Sequence, residues 1–278
     1  MPDRAPSNGG GMTHHQPSYA ALDLGTARTR SLVSGSVTIA ERASSVPARP
    51  RRRDRQEPEQ GSEVVWPILH GMVANMAACH RLAHTVLRDA MLYGSWPLER
   101  VLVGVPVAAT RIDRIAVWTS VRQAARCPVV LVEEPLAAAI GCGLDITDPR
   151  PRLLLDVGAG IIEAVALGDS AIADAGAIQL AASSHPTLPA YALDSVTDMV
   201  ADLLRRLPAQ QRPAARANGL LLTGGGARDP RLARHLCAKL RVSVTPALEP
   251  AHATIRGLAR LCLLPALAEQ IATPAAAH

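Results

Sequence analysis

The chain has no phenylalanine, three tryptophans, three tyrosines and one lysine, Lys239, among its 278 residues. So few aromatic rings leave little from which to build base-stacking platforms, and no nucleic-acid partner is expected. With its sole lysine in "LCAKLRV", far from any Gly-x-x-x-x-Gly pattern, the chain has no P-loop. Cysteines occur singly at 79, 127, 142, 237 and 262 with no C-x-x-C pair, which argues against zinc and against a disulfide framework and predicts a reducing cytoplasm. Apolar runs fall short of the ~18 residues a membrane span needs. The first 17 residues read as a disordered polar tail without an apolar signal core, with Met12 as an alternative start.

What is present is a 48% hydrophobic chain with a net charge of +5, carried almost wholly by arginine. The basic residues concentrate in "PARPRRRDRQ", residues 47–56, where proline favours extended backbone and five arginines repel one another; this reads as a solvated linker. Five short apolar runs end in Gly or Pro: "YAALDLG" (19–25), "RVLVGVP" (100–106), "PVVLVEEP" (128–135), "RLLLDVG" (152–158) and "GLLLTGGG" (219–226). Such runs suit strands buried on both faces. Helical periodicity separates them. Residues 75–92 place Met76, Cys79, Leu82, Ala83, Val86 and Leu87 on one stripe behind Asn75 as N-cap. Thr110 and Asp113 stand at capping-box spacing before a helix over 111–125, whose apolar face is predicted to be Ile112, Ile115, Ala116 and Thr119. Leu193, Val196, Val200, Leu203, Leu204 and Leu207 form a third stripe closed by Pro208, and Asp229-Pro230 opens a fourth helix running to about Leu240. The class is α/β.

One device occurs twice. "AALDLGTA" and "LLLDVGAG" are each an apolar strand followed by Asp-x-Gly and small residues. Each turn frees backbone N–H groups for phosphate oxygens, and each offers a carboxylate, Asp23 or Asp156, that could hold a hydrated Mg²⁺ between the two halves.

At these residues the chain resembles the actin-like ATPases and, within them, the bacterial rod-shape MreB branch. "LDLGTART" is similar to that family's first phosphate loop, with Arg28 where Asn is usual. "LLLDVGAGIIEAVAL" resembles the second loop, "LLLTGGGARDPRL" the adenosine loop, and "VVLVEEPLAAAIGCGL" and "EPAHATIRGLARL" the two connectors between domains. The resemblance implies an actin-like, ribonuclease H-like two-domain fold, with residues 18–150 and 250–278 as domain I and 151–249 as domain II. ATP and Mg²⁺ are implied in the cleft. Asp23 and Asp156 would lie on the metal side, through water. Gly25, Thr26, Arg28, Thr29, Gly158 and Gly160 would line the phosphates, with Arg28 either gripping phosphate or filling space. Gly224, Gly225 and Gly226 would face the purine and ribose, and Glu134, in preference to Glu133, would position the hydrolytic water.

Two departures stand out. Where the family carries paired hydroxyls after the second glycine turn, this chain has Ile161 and Ile162. If that hydroxyl acts mainly in the transition state, its loss is worth ~2.7–4 kcal/mol of barrier. The segments at 41–62 and 181–190 are short and polar where the family inserts its outer subdomains, which predicts reduced outer lobes and poor polymerisation. "AMLYGSWPLER" (90–100) occupies a loop where some members carry an apolar membrane tip, and Leu92, Tyr93 and Trp96 would suit that interface. The implied role is nucleotide binding with at most weak ATPase activity. The implied partners are full-length actin-like filaments or cell-wall synthesis proteins, met in the cytoplasm with peripheral membrane contact. An active kinase of the superfamily and a module that no longer binds nucleotide are the competing readings.

Overall fold

The computed structural model describes residues 18–48, 64–90, 97–180, 188 and 190–275. The tail, most of the arginine-rich stretch, and Leu92, Tyr93 and Trp96 lie outside them.

The chain builds the same unit twice. In the first half, β1 (Tyr19–Leu24), β2 (Arg28–Val33) and β3 (Ala40–Ala43) form an antiparallel meander. Two small hairpins follow. In one, β4 (Val46–Pro47) pairs with β5 (Val64–Val65); in the other, β6 (Ile68–Leu69) pairs with β7 (Met72–Val73). Next come α1 (Met76–Ala90), β8 (Arg100–Val105), α2 (Arg111–Ala125), β9 (Val129–Glu133) and α3 (Glu134–Gly141). β8 joins β1 in parallel and β9 joins β8, giving the strand order β3-β2-β1-β8-β9. The second half repeats this with β10 (Arg152–Val157), β11 (Ile161–Gly168), β12 (Ala171–Gln179), α4 (Ala190–Arg206), α5 (Arg212–Asn218), β13 (Leu220–Thr223), α6 (Pro230–Leu240), β14 (Val244–Pro246) and α7 (Ala253–Cys262), ending with α8 (Pro265–Gln270). Its order is β12-β11-β10-β13-β14, the same pattern with each strand replaced by its counterpart.

All five apolar runs are strands, and burial on both faces explains their composition. On β1, Ala20, Leu22 and Leu24 face outward onto α1 and α2, while Ala21 faces inward. On β10, Leu153, Leu155 and Val157 face outward onto α4 and α6, while Leu154 faces inward. Between the sheets lies a third apolar layer made by α3 and α7, with Leu136, Ile140, Ile255 and Leu258 at its centre. Each fully buried Leu or Ile contributes roughly 1.5–3 kcal/mol, so this middle layer is the main bond between the halves.

α3 and α7 occupy equivalent positions in the two halves and cross each other closely. A Cβ on Gly141 would overlap the Ala253 carbonyl, and one on Gly257 would overlap the Ala137 carbonyl. Helix axes can approach this far only where a side chain is missing.

The helix caps agree with the sequence. Thr110 and Asp113 form a reciprocal capping box, the Asp229 side chain accepts from the Arg231 N–H, and Asn75 Oδ1 accepts from Ala78 N–H at 2.9 Å. The predicted face of α2 is corrected. Ile112 is 79% exposed and Ile115 is also exposed, whereas Val117, Ser120, Val121, Ala124 and Ala125 are buried. Both stripes have helical spacing, and packing against α1 and β9 decides which of them is buried. Met76, at the exposed start of α1, also falls outside its predicted stripe.

Candidate functional site

Strand parity places the site. Side chains alternate along a strand, so Asp23 shares the inward direction of Ala21, and Asp156 that of Leu154. Both aspartates sit at the penultimate position of the central strand of their sheet, 6% and 7% exposed. Both line one cavity of about 140 Å³ with Gly25, Thr26, Arg28, Arg30, Gly71, Glu134, Gly158, Gly160, Ile161, Gly224 and Gly225. Residues from both sheets and from both glycine turns therefore converge.

The two turns are built alike. A Cβ on Gly25 would meet the Arg28 carbonyl at 2.7 Å, and a Cβ on Gly158 would meet the Ile161 carbonyl at the same distance. In each, the chain folds back three residues later, leaving room for nothing larger than hydrogen. The loops also touch. A Cβ on Gly160 would come within 3.0 Å of His70 Cα and closer still to Thr26. Thr26 Oγ1 accepts from Gly71 N–H at 2.9 Å, and His70 Nδ1 lies 3.3 Å from the Gly160 carbonyl. The β6–β7 turn, with His70 and Gly71 both at positive φ, thus spans the two loops. At about 140 Å³ the cavity is smaller than the ~300 Å³ at which small-molecule sites begin.

Four carboxyl groups crowd this region. Burial pushes Asp23 up to about 6; the Arg30 guanidinium opposes the shift and the Asp156 charge adds to it. Burial likewise raises Asp156, while a 2.7 Å hydrogen bond donated by the Thr223 hydroxyl and the charge of Arg30 hold it down. Glu134 is raised well above the usual carboxylate range by burial, and then by Asp23, Glu163 and Asp156. Its stem lies against Gly104, where a Cβ would meet Glu134 Cγ at 3.0 Å. Glu133 does not line the cavity and lies 3.6 Å from Arg114.

Several sequence expectations are corrected by parity and packing. Thr29 is fully buried on the outward face of β2, sharing a 2.8 Å hydrogen bond with Ser44, whose hydroxyl also bonds the Gly25 carbonyl. It braces the turn from behind and does not line the cavity. Of the three glycines after β13, Gly224 and Gly225 line the cavity and Gly226 does not; Val157 lies against Gly224, at φ +81°, and against Gly226, while Gly225 is open. Ile161 reaches the cavity, whereas Ile162 is fully buried against α4 and its neighbours, so only one of the two missing hydroxyls faces the site. Arg28 lines the cavity with its side chain 57% exposed, its nearest ionic partner Glu41 at 3.8 Å.

Two residues were not picked out from the sequence. Arg30 stands opposite Asp23 in the β1–β2 register, and Glu163 stands opposite Asp156 in the β10–β11 register. Each follows its aspartate by seven residues, a spacing that a comparison of the two repeats could have exposed. Arg30 Nη1 is 3.4 Å from Asp23 Oδ2, and its Nε donates to Glu41 Oε2 at 2.7 Å. Glu163, 1% exposed, accepts from Ala108 N–H at 2.9 Å, so a carboxylate of the second sheet holds the loop after β8. Its other oxygen has no hydrogen-bond partner among the described residues, and burial pushes the group up to about 7.

A metal fits the two aspartates unequally. No group of three or more His, Cys, Asp or Glu among the described residues is disposed to bind an ion directly. Asp156 could meet a hydrated Mg²⁺, but Asp23 already faces a fixed cation, Arg30. The pair therefore does not fit a metal shared evenly between two free carboxylates.

This arrangement has known counterparts. The MreB/Mbl protein family matches residues 18–185. The chain is 26% identical over 178 residues to the cell shape-determining protein MreB of Escherichia coli K12, covering 58% of this chain and 51% of that protein. It is 25% identical over 164 residues to the cell shape-determining protein Mbl of Bacillus subtilis, covering 58% and 44%. It thus spans about half the length of the curated relatives it matches. Among solved structures, MreB5 of Spiroplasma citri bound to ADP superposes with a TM-score of 0.77 at 18% identity, covering 92% of this chain and 98% of that one. The MamK double helical filament superposes at 0.69 and 16% identity, covering 89% and 99%. These structural matches establish an actin-like fold.

Proposed function

The chain belongs to the MreB/Mbl family, and from that premise we propose that it is an adenine-nucleotide-binding, actin-like protein that acts in cell-shape or wall-synthesis control beside full-length filaments. The observation that carries this reading is the convergence of two Asp-x-Gly turns, Glu134 and the open Gly225 on a single cavity. Backbone N–H groups of the turns at Gly25 and Gly158 are suited to phosphate oxygens, and Gly225 offers bare backbone to a flat ring. A metal, where bound at Asp156, would supply charge neutralisation to the phosphates. Solved relatives support the ligand class, since MreB5 of Spiroplasma citri has been described with ADP and with AMPPNP.

Hydrolysis is slow in this reading. Glu134, in the cavity lining and raised above the usual carboxylate range by burial, would hold a water or a proton in this reading. Ile161 supplies hydrocarbon where a hydroxyl would orient that water. Reduced outer lobes would weaken longitudinal contacts, so self-assembly is poor and the chain works as a partner of filaments such as the one MamK forms. No helix among the described residues is long and apolar enough to cross a membrane. A peripheral membrane contact, where made, would use Leu92, Tyr93 and Trp96.

Isothermal titration with ATP and ADP tests the reading, together with phosphate release. Saturable binding with release near background is expected; no heat and no thermal stabilisation with either nucleotide would overturn it.

A further inference from the structure

The geometry points to Arg30 as the built-in counter-ion of this cleft, so that the chain binds nucleotide phosphates without needing a divalent cation. The inference rests on the nucleotide reading above and specifies how the site neutralises its ligand.

A triphosphate entering this cavity meets Asp23, Asp156 and Glu134 in the lining and Glu163 just behind. Negative ligand against carboxylates requires a cation in between. Arg28 and Arg30 are the cationic residues of the lining, and they differ in how they are held. The Arg28 side chain is 57% exposed and can swing into water; that of Arg30 is 14% exposed. Its backbone is locked opposite Asp23 by strand pairing, and Glu41 grips its Nε at 2.7 Å. Glu41 is itself steadied by Arg28 at 3.8 Å and by His252 Nε2 at 3.6 Å, so the guanidinium is positioned from outside the cavity. With Nε on Glu41 and Nη1 on Asp23, a five-donor guanidinium retains N–H groups for phosphate oxygens. Asp156 in the opposite half also feels the positive charge of Arg30. The cation therefore sits where both aspartates sense it. Only the first half supplies it, because the equivalent residue of the second half is Glu163.

The test compares ATP affinity by isothermal titration in magnesium and in EDTA for the wild-type chain, Arg30→Met and Arg30→Lys. Wild-type dissociation constants are expected to agree within about threefold between the two conditions. In EDTA, Arg30→Met should bind at least about tenfold more weakly, with magnesium restoring much of the loss, while Arg30→Lys should retain most of the EDTA affinity. A wild-type affinity that falls about tenfold or more in EDTA overturns the inference and leaves nucleotide binding standing. So does an Arg30→Met protein that binds as wild type in EDTA. No binding by the wild type in either condition removes the nucleotide reading itself, and this inference with it. Circular dichroism checks folding of the variants; should Arg30→Met fail to fold, the wild-type comparison and Arg30→Lys decide.

Discussion

The first and second hairpins of this protein share a turn but not a charge. Both place an aspartate before an Asp-x-Gly turn, exclude a side chain at the glycine by the same 2.7 Å approach, and point their inward residues at one cavity. Opposite the aspartate, the first hairpin puts Arg30 and the second puts Glu163. The backbone device is repeated in both halves, as the proposed phosphate binding requires. The residue facing each aspartate is free to diverge, and it determines what each half can neutralise. Arg30 compensates its own half, whereas Glu163 adds a further negative group and uses it to hold the loop at Ala108.

The largest effect should come where the halves are joined. Gly257→Val forces side-chain atoms into the Ala137 carbonyl at the α3–α7 crossing and is expected to cost about 3 kcal/mol or more, read as a fall in denaturant midpoint. If stability is unchanged, the close crossing is not real.

The two isoleucines after the second turn should separate next. Ile162→Thr places a hydroxyl in the apolar layer under α4 and should destabilise by about 1–3 kcal/mol. Ile161→Thr puts its hydroxyl into the cavity, leaves stability nearly unchanged and should raise phosphate release. The reverse pattern of stabilities would show that the strand parity is wrong.

The aspartates themselves should behave unequally. Asp156→Ala is expected to abolish whatever gain magnesium gives to ATP affinity and to leave affinity in EDTA within about threefold, whereas Asp23→Ala frees Arg30 and should leave the magnesium gain intact. Equal losses would restore symmetry to the two hairpins.

A smaller effect concerns pH. Burial pushes the folded Glu163 carboxyl up to about 7 from an ordinary value of 4.5, so between these values the folded state holds the extra proton. Stability is therefore highest below the unfolded value and falls as pH rises toward 7, by at most about 1.4 kcal/mol per unit for this one group. Glu163→Gln should flatten that part of the profile while keeping the acceptor for Ala108. An unaltered slope would show that Glu163 is not the titrating group. The least effect is expected at the equivalent helix starts, where Thr110→Ala and Asp229→Ala should each cost about 1 kcal/mol in thermal unfolding. A much larger loss at one would show that its cap also braces the cleft.

Much of this molecule could be read before its structure was known. The five apolar runs are the strands they promised to be, Thr110 and Asp229 cap the helices they precede, and Asp23 and Asp156 share a cavity. What was misread concerns faces. Thr29 and Ile162 lie on outward strand faces, the apolar face of α2 is Val117 and Val121 and not Ile112, and Gly226 packs on Val157 and does not line the cavity. Each error arises where two faces of an element are equally apolar or equally small, so composition cannot say which is inside.

By itself, the sequence determined the elements, their caps and the doubled turn, because those depend on residues within a few positions of one another: a capping hydroxyl, a glycine that admits a close carbonyl, an unbroken apolar run. Tertiary structure alone decided that Arg30 meets Asp23, that Glu163 holds Ala108, and that His70 and Gly71 span both loops. Those contacts depend on strand register and on how two sheets close around α3 and α7, and no local preference specifies the partner across a cleft.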